Sequence, residues 1–461
     1  MDLKYGVTDN FTLDATLVPD FSQAGFDRVV LNLGPFEQTF SEQRQFFTEG
    51  VDLFSKGGLF FSRRVGNAPT GSVGLEENEI VDIPNEVKVL NAVKFSGRTK
   101  KGLGIGFFNA ITEKTSATIA DTISGEKRSQ VVEPLSNYNI MVLDQQFNGN
   151  SSVSLINTNV TRDGNFRDAN ATALVANLIN KRNTYKINTE LRMSNVKDQN
   201  ADWETGYSSF LSVGKVHGNL RYSFDHRYAD TKYDINDLGL NLRNNQNDFG
   251  ADISYQTFEP TGKLNNYRIN GFFNYKRLVD PNEFARINFG GGYRATTKKL
   301  DNYRFRLNIE PGEQKDFFES RDGRAFIYEN AVSTGGSLST NYNRKFAFNV
   351  RANVATLFEE GRDFFTYDFK IEPRVRVNNK LILSYSLNFD FKNGDRGYAT
   401  EENDEPIFGE RNRQRFVNSL SGSYNLNPFH SIALTLRHYW DTVDYDYELF
   451  TLLDNGRLAT E

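Results

Sequence analysis

The sequence predicts an all-β fold: a large antiparallel transmembrane β-barrel of about 20–22 strands carrying one inserted plug or loop segment. Three observations predict it. Long segments alternate apolar and charged residues with period two, no apolar run reaches the roughly 18 residues of a membrane-spanning helix, and short turns alternate with long connections.

Each strand follows from its parity. Phe11, Leu13, Ala15 and Leu17 alternate with Thr12, Asp14 and Thr16. Tyr185, Ile187, Leu191 and Met193 alternate with Lys186, Asn188, Glu190 and Arg192. The pattern returns at Tyr267 to Tyr275, at Ala285 to Tyr293 and at Phe346 to Val354. It is clearest from Phe365: Phe365, Tyr367, Phe369 and Ile371 lie on one parity, and Asp368, Lys370, Glu372, Arg374 and Arg376 on the other. After the turn at Asn378-Asn379 it resumes from Leu381 to Phe391, and again from Ile432 to Trp440. Successive strand side chains point to opposite faces, so each segment has one apolar and one charged face. About 20 such segments, one per ~23 residues, match the repeat of a membrane-crossing strand with its connection. Several run longer than the ~5–6 residues usual in soluble sandwiches. A wet interior also reconciles this fold with a mean hydropathy of −0.57.

Connections give an independent test. Thr8-Asp9-Asn10, 98–101, Asn148-Gly149-Asn150, Lys181-Arg182-Asn183, Asn343-Arg344, Asn378-Asn379 and Asn427-Pro428 are short. Those at 19–86, 113–135, 230–246, 311–328 and 394–413 are predicted to be long. One region departs from the rule, because Asp280-Pro281-Asn282 and 299–301 are both short, and a strand misplaced there is expected. If short turns face the periplasm, the parity predicts a further strand before Met1. The end at Arg457-Leu458-Ala459-Thr460-Glu461 lacks a closing aromatic strand, which predicts truncation there too. Met1-Asp2-Leu3-Lys4-Tyr5 has no signal-peptide pattern, so either the chain is cytosolic or its targeting segment lies outside it.

Residues 19–86 break the rhythm, with Phe-rich stretches at 36–50 and 59–66. A stretch this long without strand pattern is uncommon unless it has a task. Two readings stand: a plug or constriction inside the barrel, whose Glu42, Arg44, Glu49, Arg63 and Arg64 pair with the charged wall, or a folded extracellular loop. Gly102, Gly104 and Gly106, and likewise Gly290 and Gly292, share strand faces where a second backbone can approach. Bending of the sheet for closure explains them equally.

Several stretches resemble one family. They are Asp2 to Thr8, Leu13 to Gln23, Phe46 to Gly50, Phe61 to Gly66, Lys94 to Thr99, Val132 to Tyr138 and Leu436 to Trp440. The chain resembles a domain of unknown function of Gram-negative, Bacteroidetes-type bacteria, which usually follows a family-nine-type carbohydrate-binding module. The resemblance covers nearly the whole chain and is strongest over 2–66. It implies an outer-membrane β-barrel and brings no catalytic residues with it. Ser41 and Gln45 stand where that family usually has prolines, and the sugar-binding module is absent from this chain.

Reactive chemistry is sparse. There is no cysteine, so disulfides, thiol nucleophiles and Cys-ligated zinc are excluded. A net charge of −5 gives no basic footprint for nucleic acid. His217, His226, His430 and His438 are not spaced to share a metal, and no phosphate loop or nucleophile elbow occurs. Asp444, Asp446 and Glu448 share one strand face, where they could bind calcium or serve as acid and base, and are read first as solvated lumen-facing carboxylates. No catalytic residue, cofactor or metal is assigned.

The function expected first is passage or handling of polar solutes such as oligosaccharides, by a monomer in the outer membrane of a Gram-negative cell. Its partners would be the lipid bilayer and glycans. Glu42, Arg44, Glu49, Arg63 and Arg64 on the insert, with Asp368, Lys370, Glu372, Arg374 and Arg376 on the wall, are the expected polar lining. A barrel-anchored surface enzyme or export component working through 113–135, 311–328 and 394–413 is the alternative. A soluble β-rich binding protein is the third reading.

Overall fold

The computed structural model describes residues 2–19, 30–403 and 405–460. Period-two alternation becomes strand wherever it occurs. The chain begins with β1 (Asp2–Thr8), β2 (Phe11–Leu17), β3 (Glu79–Asp82), β4 (Val89–Arg98) and β5 (Leu103–Thr112). It continues through β6 (Thr115–Asp121), β7 (Lys127–Glu133), β8 (Ser136–Phe147), β9 (Ser151–Arg162), β10 (Asp168–Ile179) and β11 (Tyr185–Lys197). Next come β12 (Glu204–Lys215), β13 (Leu220–Ala229), β14 (Gln246–Gln256), β15 (Leu264–Arg277), β16 (Phe284–Thr297) and β17 (Asn302–Asp316). The last are β18 (Phe326–Ser339), β19 (Phe346–Leu357), β20 (Phe365–Arg376), β21 (Leu381–Glu402), β22 (Glu405–Asn427), β23 (His430–Leu452) and β24 (Leu458–Thr460).

All but three strands join one 21-stranded antiparallel sheet in which each pairs with its neighbour in the chain, and β3, β6 and β7 form a separate small sheet. Among the described residues β1 pairs only with β2, and no pairing joins it to β23 or β24.

Register carries the two faces across the sheet. On one face Tyr5 lies opposite Leu13, Leu13 opposite Phe95, Phe95 opposite Phe107, and Phe107 opposite Met141. The row continues through Leu143, Leu155, Leu174 and Leu191. Farther along, Phe369, Phe389, Phe416 and Trp440 stand side by side. Much of this face is uncovered: Met141 is 60% exposed, Leu191 54% and, on the same face of β23 as Trp440, Leu434 63%. On the other face the charges pair across strands, as in Arg351–Asp368 at 2.9 Å, Arg415–Asp390 at 2.9 Å and Arg413–Asp441 at 2.6 Å. A one-residue slip would exchange the faces, so these ion pairs and apolar rows fix the register together.

Four expectations need correction. The stretch 394–413 is not a loop, because β21 and β22 run on through it to a tight turn. Its residues lack an apolar face, and the ladder is held there by cross-strand ion pairs, Arg396–Glu410 at 2.7 Å and Arg411–Asp395 at 3.0 Å. The connection at 311–328 shrinks to 317–325, since β17 continues past a bulge between Glu310 and Glu313. The stretch 113–135 folds as the β6–β7 hairpin. No strand is misplaced near 280–301: residues 278–283 and 298–301 join successive strand pairs at opposite ends of the sheet, and both are short.

The larger buried cluster lies between the sheet and the insert, and gathers Phe47, Leu53, Phe54, Leu59 and Val65 with Phe108, Ile140, Val142, Ile156 and Ala173. A smaller one, Phe326, Phe408, Phe450 and Leu452, ties the extended β21–β23 strands to β18.

Candidate functional site

The insert seats on the polar face of β4, β5 and β8–β11. Among the described residues its part over 30–75 holds α1 (Gln45–Thr48) and two single 3₁₀ turns at Lys56–Gly58 and Ser62–Arg64, and β3 follows it. Residues 20–29 lie outside the described residues, and with them Asp20, Phe21, Ser22 and Gln23 of the family-like run. Phe108, 1% exposed, is the anchor. Phe46, Phe47, Phe54 and Phe60 surround it with ring centroids 6.4, 6.1, 6.3 and 5.4 Å away.

Two glycines make this close approach possible. A Cβ on Gly106 would meet the Phe54 ring at 3.1 Å, and one on Gly104 would meet Leu53 at 3.0 Å. Gly102 serves differently, with φ +84° at the turn before β5. Gly290 and Gly292 meet only neighbouring strands, so no insert explains them.

The predicted charges divide into two groups that do not meet. On the insert, Arg44 pairs with Glu42 at 2.8 Å and donates to the Val65 and Ser62 carbonyls at 2.7 and 2.8 Å. Burial alone would raise the Glu42 pKa, but the hydrogen bonds and charge of Arg44, together with Ser62, hold it at about 2. Arg64 pairs with Glu37 at 2.8 Å and donates to Gly239 O at 3.1 Å, while Arg63 donates to Ser41 O. Glu49 meets the wall as expected, through Lys4 at 2.7 Å. Asp368 pairs with Arg351, and Lys370 with Glu372 at 2.7 Å, within the sheet. Arg374 reaches Tyr342 O at 3.4 Å, and no side-chain partner is recorded for Arg376 among the described residues.

The contacts that join insert to wall use residues the sequence reading passed over. Asp144, fully buried, takes Lys56 of the insert together with Arg98 and Ser154 of the wall. Lys94, also buried, donates to the Phe46 carbonyl at 2.7 Å and to the Glu49 carbonyl. Arg192 donates to Gly57 O at 2.8 Å.

A cavity of about 960 Å³ opens beside the insert, at the end of the sheet where the longest connections gather. The β7 end, the connection 163–167 and the loop 230–245 supply its ionic wall. Arg162 lies 3.4 Å from Glu133 and 2.8 Å from Asp237, and Arg167 lies 3.0 Å from Asp237 and 2.8 Å from Asp198. Glu133 also accepts from Thr70 Oγ1 at 3.1 Å. Burial alone would weaken the hold of Arg167 on its proton, but the surrounding aspartates reverse this and raise its pKa. With cations and carboxylates already matched, this wall offers hydrogen bonds to a polar solute, and no nucleophile poised against a base stands out in it. Among the described residues, no three His, Asp or Glu side chains converge as metal ligands would.

The whole of the chain, residues 1–461, matches the model of a domain of unknown function (DUF5916). No curated protein matches it significantly.

Proposed function

The chain belongs to the DUF5916 family, and from that premise we propose an outer-membrane β-barrel protein whose polar face handles polar solutes such as oligosaccharides at the cell surface. One observation carries this reading: apolar rows linked residue by residue across the sheet remain uncovered, while the opposite face pairs its charges. Monomeric soluble proteins rarely expose contiguous apolar patches beyond a few hundred Å². Against acyl chains the same rows are favourable, and charges on that face would cost roughly 2–4 kcal/mol each at the midplane.

On this reading the insert at 30–75 is a plug, and the 960 Å³ cavity is the vestibule beside it. Two features favour a plug over a free extracellular loop. Its apolar side chains bury against the sheet around Phe108, and its backbone is held from the wall by Lys94 and Arg192. The paired ions of the vestibule suit neutral or weakly charged solutes that compete for hydrogen bonds rather than for charge.

Phase separation in a cloud-point detergent tests the membrane reading. Folded full-length protein should enter the detergent phase, and recovery of folded protein from the aqueous phase would overturn it. Swelling of proteoliposomes in maltohexaose tests the plug. The intact chain should admit little sugar, and deletion of 30–75 should raise the rate several-fold. An unchanged rate in a chain that still partitions into detergent would remove the plug and leave the membrane reading standing.

A further inference from the structure

On the polar face many charges pair with the opposite sign across strands, but one row sets like charges directly opposite one another. Arg268 of β15 lies directly opposite Arg294 of β16, and Arg294 directly opposite Arg304 of β17. Arg306, two residues on from Arg304 and on the same face, stands opposite Gly292. Residues directly opposite in an antiparallel pair have Cβ atoms about 4.5–5.5 Å apart, and like charges placed so are destabilising. No carboxylate lies within ion-pair distance of any of the four among the described residues, whereas farther along β16 and β17 Arg286 pairs with Glu310 at 2.9 Å, and between β19 and β20 Arg351 pairs with Asp368 at 2.9 Å. The sheet therefore holds a run of repelling cations that it neutralises on either side.

These arginines line a cavity of about 420 Å³ in which Asp252 is the sole carboxylate, so four guanidinium groups face one acid. Asn270 and Phe272 are also in the lining, and the Arg306 guanidinium sits 5.1 Å above the Phe272 ring. We propose that this ladder binds an anionic oligosaccharide, one bearing sulfate or carboxylate groups on successive sugars. Guanidinium forks match planar or tetrahedral oxyanions with paired hydrogen bonds. The arginines step from strand to strand, each about 4.7–4.9 Å from the next, so an extended polyanion can follow the row while a single small ion reaches only part of it. Phe272 offers an apolar face to a sugar ring. The ladder lies on the face opposite the apolar rows of Ile269, Tyr293 and Phe305, out of reach of acyl chains on that side. The proposal rests on the reading of this face as open to water and adds, apart from the ion-paired vestibule, a second stretch of it that takes acidic glycans.

Titration calorimetry of the full chain in detergent micelles tests it. The probes are a sulfated hexasaccharide, a hexagalacturonate, neutral maltohexaose and inorganic phosphate. An acidic hexasaccharide should bind at least tenfold more tightly than maltohexaose or phosphate, and its affinity should fall as salt rises. The double variant R294Q/R304Q should lose that preference at least tenfold. R415Q, whose arginine is paired elsewhere, should retain it. Relief of repulsion should leave the thermal midpoint of R294Q/R304Q equal to or above that of the parent, which separates lost binding from lost folding. Equal affinity for neutral and acidic sugars, phosphate binding as tightly as the acidic hexasaccharide, or unchanged binding by the double variant would overturn the ladder. Because the same samples are first shown to partition into detergent, such a failure would leave the membrane reading intact.

Discussion

Replacing Phe54 with alanine removes a ring that is 1% exposed and sits 6.3 Å, centroid to centroid, from Phe108. Beneath the ring lies Gly106, whose Cβ would meet it at 3.1 Å and which has no side chain to swing into the space, so collapse of the site is limited. Deletions of this kind cost about 3–5 kcal/mol. The loss falls on docking of the insert, since the strand ladders beneath it do not use Phe54. At 1.4 kcal/mol per tenfold, the undocked population should rise from about 10²-fold to a few times 10³-fold. Hydrogen exchange reads this directly. The Phe61 amide donates to Leu238 O at 2.7 Å across the insert's boundary, and its exchange should accelerate by at least a hundredfold. Amides inside the β14–β15 ladder should not change. Phe429→Ala, at a residue 90% exposed, is the control and should leave Phe61 protected. Unchanged protection of Phe61 in Phe54→Ala would refute the claim that the Phe108 cluster holds the insert down.

Two further outcomes follow from the same contacts. Asp144→Asn leaves Lys56 and Arg98 facing each other without their shared carboxylate. Because both cations retain some solvent, the loss should sit near the lower end of the penalty for breaking a buried pair, about 3 kcal/mol. Limited trypsin digestion should then cut after Lys56 much faster, and an unchanged rate would show that Asp144 does not clamp the insert. Glu42, held at about 2, should make docking acid-sensitive. A depressed carboxylate contributes stability that is full above its unfolded pKa and lost as pH falls toward its folded pKa. Protection of the Val65 amide should therefore weaken from about pH 4.5 down to about 2. Glu42→Gln should flatten that dependence, and an identical pH profile in the variant would assign the effect elsewhere.

The sheet was legible because its strands obey one simple rule. At Phe365 to Arg376 and Leu381 to Phe391, apolar and charged residues alternate without a break, and the register follows. The insert's seat was legible only in part. Gly104 and Gly106 marked the close approach, but so did Gly290 and Gly292, which contact only strands, because a glycine reports space and not what fills it. A better signal was present. β5, β8, β9 and β10 are apolar on both parities, with Phe108, Ile140, Val142, Ile156 and Ala173 on the face that elsewhere carries charge. A strand apolar on both faces is covered on both, and that departure from alternation locates the insert. The charges on the insert misled because Glu42 and Arg44 are two residues apart and satisfy one another. Arg98 and Asp144 come together through strand pairing and Lys56 reaches them only when the insert docks, which no local spacing encodes. The hairpin at 394–413 was missed for the converse reason, since a ladder stabilised by Arg396–Glu410 and Arg411–Asp395 needs no apolar period.

The orientation of the two faces decides the account. Because the chain has no cysteine, single nitroxide labels can be placed without background at residues 432 to 437 of β23 and 190 to 193 of β11. Power-saturation measurements on the protein in liposomes would compare access to oxygen, which concentrates in acyl chains, with access to a water-soluble nickel chelate. The account predicts a period of two, with oxygen favoured at Ile432, Leu434, Leu436 and Leu191, and nickel favoured at Thr435 and Arg437. Nickel access that is equally high at both parities would contradict it.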